Sequence, residues 1–378
     1  MASISIRDLM KVHKHEIQLN HVSLEVDDGE FVVLVGPKHS GKTALLRVIA
    51  GLEKCDSGEI YFNNRRVTDR PPQLRNIGMV FQKDALFPAM TVADNLGFAL
   101  KMRKLEKERI EKRVAELAEL LHITHLLKKK PHELEMIDRQ RVAIARALAP
   151  KPDILLMDDP LVGLDDNNSR ELGLEILRLQ RALNFTALYV TRNRIEGLRM
   201  ATRVVVMHEG TIQQCDAPQI IYDYPANRYV GKFIGTPEMK QFPVKLVRYG
   251  KEVFMEFGEN KIPLPAGKVS RMAGDYYIGK TVILGMRAEN IHDDAMFLSI
   301  SEETAVDAEV TIVEMMGMGT YLHLNVEGIP GELIANVEAR STAREGETIR
   351  IAFDVNHVHL FDAETGASIM GRIVPASV

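Results

Sequence analysis

The chain of 378 residues has only two cysteines, Cys55 and Cys215, and no tryptophan. Two thiols so far apart cannot build a disulfide framework or a structural zinc site, so the expected compartment is the reducing cytosol. No apolar run approaches the roughly 18 residues of a bilayer-spanning helix. In the opening stretch MASISIRDLM, Arg7 and Asp8 interrupt the apolar residues, so no export signal is expected there. Charge of one sign is lacking too. The 48 basic and 52 acidic residues leave a formal net charge of −4, which excludes nucleic-acid binding through bulk positive charge. The 12 histidines show no H-E-x-x-H or paired ligand spacing, so no histidine metal centre is expected. What is present, 46% hydrophobic and 26% charged residues, is the balance of a globular protein too long for one ordinary core.

Two textures divide the chain. Residues 3–8 and 21–26 alternate apolar and polar side chains like strands of an antiparallel ribbon, and FVVLV at 31–35 suits a strand buried on both faces. Helical spacing follows at 44–50, 105–127, 139–148 and 169–183, interleaved with short apolar runs at 154–157, 187–190 and 203–208. This alternation predicts an α/β layer with a mostly parallel sheet. Beyond Gly235-Thr236-Pro237 the segments become short, alternating and turn-punctuated, at 244–247, 252–257, 281–285, 308–314, 320–326, 348–353 and 357–361. They predict an all-β second domain built as a small barrel or pair of barrels.

Chemistry concentrates at Gly36-Pro37-Lys38-His39-Ser40-Gly41-Lys42-Thr43, which fits G-x-x-x-x-G-K-S/T in full. The glycines let backbone N–H groups turn toward phosphates, Lys42 reaches the β and γ oxygens, Thr43 can ligate Mg²⁺, and the following helix aims its N-terminus at the anion. A chance match in a chain this long is expected at about 0.01, so the motif points to a nucleotide. Asp158, closing the apolar run at 154–157, is the acidic partner that completes a Mg²⁺ shell.

With these motifs in place, the chain resembles the ATPase subunit of ATP-binding cassette (ABC) transporters, closely the carbohydrate-importer branch that includes the maltose-transporter ATPase. The resemblance rests on GEFVVLVGPKHSGKTALLRVIAGLE (29–53), GMVFQKDALFPAMTVADNLGFAL (78–100), RQRVAIARALA (139–149), ILLMDDPLVGLD (154–165), YVTRNRIEG (189–197), YDYPANRYVGKFIGTPEM (222–239), GMRAENI (285–291) and HLFDAETG (359–366). It implies a P-loop cassette at 1–235 with a helical subdomain at about 86–150, then an OB-like/TOBE regulatory domain at 236–378. It also implies ATP and Mg²⁺ as ligands. The expected partners are a second ATPase subunit, a membrane permease docked through coupling helices and, through it, a solute-binding protein, with no nucleic acid. The expected place is peripheral, at the cytoplasmic face of the membrane. Gln82 becomes the residue that senses Mg²⁺ and nucleotide, His13 the adenine-stacking position, and Leu86-Phe87-Pro88 part of the permease-facing surface.

Four positions depart from the resemblance. The family's Leu-Ser-Gly-Gly-Gln, which caps the γ-phosphate held by the opposite subunit, reads Leu134-Glu135-Met136-Ile137-Asp138. Glu135 and Asp138 would both face a polyphosphate, and like charges a few ångströms apart cost on the order of several kcal/mol when desolvated. Asp159 replaces the glutamate that polarises the attacking water and is one methylene shorter. Arg192 replaces the switch histidine and cannot shuttle a proton near neutral pH. The loop Leu161-Val162-Gly163-Leu164-Asp165 keeps its aspartate but loses the usual Ser-Asn pair. These departures imply weak intrinsic hydrolysis and pairing with a regular ATPase subunit, or a subunit that binds ATP without hydrolysing it. The branch implies a sugar, polyol, glycerol or glycerol-phosphate solute.

Overall fold

Alternating side chains form β1 (Ile4–His13) and β2 (Glu16–Val26), an antiparallel pair that joins β4 (Ser57–Phe62) and β5 (Arg65–Arg66) in a sheet of order β2-β1-β4-β5. Both strands outrun their apolar sequence signals because the hairpin tip carries polar residues. The computed structural model describes residues 2–371 apart from 273 and 318, so positions 372–378 of the expected second domain lie outside the described residues.

The chain folds as two units, Met1–Pro218 and Gln219–Val378. In the first, β3 (Phe31–Val35) is buried along its whole length and lies at the centre of a second sheet. That sheet has the order β10-β9-β3-β8-β7-β6, with β6 at Ile77–Val80, β7 at Ile154–Asp158, β8 at Thr186–Thr191, β9 at Arg203–His208 and β10 at Thr211–Asp216. All neighbours are parallel except the edge pair β10–β9. Each fully buried Val or Leu of such a strand contributes roughly 1.5–3 kcal/mol. The helices are α1 (Lys42–Ala50), α2 (Val92–Met102), α3 (Lys107–Leu120), α4 (Met136–Leu148), α5 (Asp166–Leu183) and α6 (Arg194–Met200). Side-chain caps set three starts: Thr91 accepts from Asp94 N, Asp165 from Asn168 N, and Asn193 from Ile195 N and Glu196 N.

The second unit opens at Gln219 within α7 (Pro218–Asp223) and continues with α8 (Arg228–Phe233). Its boundary at Pro218 therefore precedes the expected 235. The reason is buried Arg287, which donates to Ile234 O at 2.6 Å and Tyr222 O at 2.8 Å, with its guanidinium 3.7 Å from the Tyr222 ring centroid. A further tie is Gln241, which donates to Arg228 O at 2.8 Å. The strands β11 (Lys240–Tyr249), β12 (Glu252–Phe257), β13 (Asn260–Leu264), β14 (Thr281–Met286), β15 (Ile291–His292), β16 (Ala305–Met315), β17 (Thr320–Val326), β18 (Leu333–Val337), β19 (Thr348–Phe353) and β20 (His359–Phe361) follow. They form two antiparallel five-stranded sheets, β13-β12-β11-β14-β20 and β15-β19-β16-β17-β18, over one shared apolar core. No helix among the described residues is long and apolar enough to cross a membrane.

Candidate functional site

The parallel sheet delivers β3, β8 and β7 side by side, so their C-terminal ends meet: Val35 pairs with Thr191, and Asp158 with Val190. Residues 36–41 leave β3 there and feed α1, the place where open α/β sheets hold ligands. Two glycines are required by the packing. A Cβ on Gly36 would stand 2.3 Å from Met207 O, and one on Gly41, which has φ +97°, would stand 2.4 Å from Gln18 O. The loop closes on the Lys42 ammonium, which donates to Gly36 O and Pro37 O at 2.8 Å and to Ser40 Oγ at 2.9 Å. Burial pulls its pKa down to about 8, against the attraction of Asp159.

The loop forms one wall of a cavity of about 810 Å³. Of the sequence-derived residues, His13, Lys38, His39, Ser40, Gly41, Lys42, Thr43, Gln82, Asp158, Asp159 and Arg192 line it. Gly36 and Pro37 stand behind, accepting from Lys42. Thr43 Oγ1 donates to Asp158 Oδ1 at 2.9 Å, bringing a hydroxyl and a carboxylate together at the wall. Burial pushes the Asp158 carboxyl above its ordinary value, opposed by that hydrogen bond. Such an oxygen set, with Gln82 among the other residues lining the cavity, fits Mg²⁺.

Asp159 and Arg192, two separate departures in the sequence, are one ion pair in the fold. Arg192 Nε donates to Asp159 Oδ2 at 3.1 Å. Asp159 sits at φ +49°, and its N–H donates to Val190 O at 2.8 Å, so the carboxylate is fixed by backbone as well as by charge.

Glu135 and Asp138 do not line this cavity. They begin α4, and the two carboxylates differ there. Asp138 Oδ1 accepts from Arg141 Nη1 at 3.2 Å, and Arg141 is held in turn by Glu171 at 2.5 Å and Glu175 at 2.7 Å. Glu135, by contrast, is exposed at the N-cap without a side-chain cap hydrogen bond. Asp165 caps α5. Leu86 is buried, whereas Phe87 is partly exposed, 4.5 Å from the Phe98 ring, with its N–H donating to buried Asn95.

Sequence reasoning missed three features. Lys11, Arg47, Glu53 and Lys54 also line the cavity, and Lys11 is held there by Lys54 O at 2.9 Å and Glu53 at 3.2 Å. The Arg141 cluster joins α4 to α5. A buried set under Asp159, made of Tyr189, Thr191 and Glu196, lies within the quoted YVTRNRIEG, yet only its side-chain directions reveal it.

Comparison with known proteins agrees with this arrangement. The ABC transporter family profile matches residues 19–162, the MalK OB fold domain 235–291 and the TOBE domain 277–361. The trehalose/maltose import ATP-binding protein MalK of Thermococcus litoralis is 41% identical over 377 residues, 98% of this chain and 100% of its own. The oligosaccharides import ATP-binding protein MsmX of Bacillus subtilis is 38% identical over 370 residues, again 98% of this chain and 100% of its own. Among solved structures, the dimeric bacterial ABC transporter cassette MJ0796 superposes with a TM-score of 0.53 at 29% identity, covering 57% of this chain and 98% of that one. A nucleotide-free ABC transporter cassette gives a TM-score of 0.55 at 28% identity, covering 62% of this chain and all of that one. The chain belongs to the ABC transporter family of ATP-binding proteins, an ATPase cassette followed by MalK-type OB-fold and TOBE domains.

Proposed function

We propose that this chain is the nucleotide-binding subunit of an ABC importer for a sugar, polyol, glycerol or glycerol-phosphate solute, and the degenerate half of an ATPase pair. It would work at the cytoplasmic face of the membrane, docked on permease subunits through their coupling helices and served by a solute-binding protein. The importer reading is supported by the sugar-import names of relatives that match the chain end to end. The observation that carries the nucleotide reading is the cavity where the Lys42 loop, the Thr43–Asp158 pair and the Asp159–Arg192 pair meet.

Residues 36–43 would hold the polyphosphate of ATP and His13 the adenine. Thr43, Gln82 and Asp158 would hold Mg²⁺, which when bound neutralises charge on the phosphate oxygens. Asp159 would orient the attacking water, and Arg192 would offer a cation to the γ-phosphate. Closure on ATP and reopening after hydrolysis would then drive the permease. The case for a regular partner subunit is Glu135, an exposed carboxylate at a helix N-cap where the family places a serine against phosphate. Glu135 also favours the second reading, an ATP-binding regulatory subunit without turnover. Purification of the chain alone, with Mg-ATP turnover and dimerisation measured together, tests both. Robust turnover by a homodimer would end the degenerate-half proposal, and ATP binding without turnover in a complete complex would favour the silent subunit.

A further inference from the structure

Below the cavity floor, Asp159 is reached by a second acid. Glu196, on the first turn of α6, is 6% exposed, while Tyr189 and Thr191 on β8 are fully buried. Tyr189 Oη donates to Glu196 Oε2 at 3.0 Å. Thr191 Oγ1 lies 2.9 Å from Glu196 Oε2 and 3.3 Å from Asp159 Oδ1, and it accepts the Asn193 N–H at 3.0 Å. The helix that carries Glu196 is seated firmly. A Cβ on Gly197 would stand 2.4 Å from Val35 Cγ1, and Asn193 caps the first turn. A threonine hydroxyl has one proton, so it cannot donate to both carboxylates at once. Two buried carboxylates sharing one hydroxyl do not both stay ionised at low cost. Asp159 has Arg192 as its counter-ion, whereas Glu196 has the more distant Arg199 and the Tyr189 hydroxyl. Burial accordingly raises the Glu196 carboxyl above its ordinary value, with Asp159 adding to the rise and Thr191, Tyr189 and Arg199 opposing it.

We infer that Glu196 is a positioning residue for ATP hydrolysis: its carboxyl donates to Thr191 Oγ1, and the Thr191 hydroxyl thereby donates to Asp159 and holds that carboxylate toward the cavity. The inference rests on the reading of Asp159 as the group that orients the attacking water. No proton leaves the relay; the two hydrogen bonds only fix which oxygen donates.

The test uses the full chain under single turnover with radiolabelled Mg-ATP and protein in excess, so that slow hydrolysis is still read. D159N, E196A, E196Q, T191V and the T191V/E196A double variant are compared, with Mg-ATP affinity measured beside each rate. The expected result is a loss of about 10- to 100-fold in rate for E196A with affinity unchanged. E196Q, whose amide can still donate to Thr191, recovers most of that loss. The double variant is no slower than T191V, because both act through one hydroxyl. If D159N abolishes turnover while E196A and E196Q keep the wild-type rate, the inference is overturned and the Asp159 reading stands. Multiplying T191V and E196A effects would also overturn the relay. Unchanged turnover in D159N, or no hydrolysis by any protein, overturns the Asp159 reading itself. Should E196A fold poorly, the T191V and E196Q rates still decide, since a rate in E196Q far below wild type contradicts the relay.

Discussion

The Asp159–Arg192 pair makes the double reversion D159E/R192H worth more than the two single changes combined. In the wild type Arg192 Nε is 3.1 Å from Asp159 Oδ2. Unit charges at that distance attract by about 5 kcal/mol at an effective dielectric of 20. The Arg192 side chain is 48% exposed, which reduces the net value of the pair to about 1 kcal/mol. In D159E the longer acid stays tied to Arg192. In R192H the acid is released but remains one methylene short. Only the double variant combines release with reach, so its rate should exceed the product of the single effects by about fivefold, the kinetic equivalent of 1 kcal/mol. The assay is single-turnover phosphate release at saturating Mg-ATP for the four proteins, with affinity held as a control. If the single effects multiply to within about 0.5 kcal/mol, the pair does not restrain the acid and the reasoning fails.

Three further outcomes follow from individual residues. G41A combines a left-handed φ of +97° with a Cβ 2.4 Å from Gln18 O. It should cost about 2–4 kcal/mol in the first unit, read as a fall in thermal midpoint, and weaken Mg-ATP binding; an unchanged midpoint would refute the packing argument. E135S should strengthen ATP-dependent self-association in sedimentation, because it removes the unpaired carboxylate at the α4 N-cap. Equal association would show that this carboxylate does not limit closure. His359, on β20, is pulled down to about 3 from an ordinary 6.5, first by burial and then by Arg287, Lys268 and other cations. The unfolded chain therefore binds the proton first, and this contribution, full above pH 6.5, is lost as the pH falls toward 3. Stability of the second unit should drop by about 1–2 kcal/mol from this residue between pH 7.5 and pH 5. H359Q should shrink that difference in urea midpoints, and an identical slope would exclude His359.

The parts of the fold visible in the sequence are those where a single face or a continuous run decides the outcome. β3 needed only five consecutive buried residues, and β12, β17 and β19 kept the bounds read from their alternation. The helix expected through 127 ends instead at Leu120, although Leu121, Ile123 and Leu126 continue the apolar spacing and are buried. Their burial comes from packing after the chain turns, with His122 at φ +57°. β13 escaped notice because Pro263 lies within it. Proline is tolerated there since β13 is an edge strand paired only to β12. β6 was hidden by Gly78, whose Cβ position is occupied by Ala147 O at 2.6 Å; close packing, not strand propensity, selects that residue.

The site shows a different limit. Contiguous motifs name the residues, because a phosphate loop is local in sequence, but counting departures position by position treats each as an independent loss. The fold regroups them. Asp159 and Arg192 become one charge-matched pair at the cavity, while Asp138 is held by Arg141, a guanidinium it shares with Glu171 and Glu175. Of the charged departures, Glu135 is the one exposed at a helix N-cap without a side-chain cap hydrogen bond. Under the proposed reading, the two halves of the site are altered in different ways, the first by a pair of residues that meet as an ion pair and the second by an exposed carboxylate at a helix N-cap. A chain that had simply lost selection on its ATP site would not be expected to replace Glu and His together with residues whose charges meet at 3.1 Å. That matching argues for a cassette whose nucleotide chemistry is retuned, with Glu135 left as the position where a partner's complementarity would be decisive.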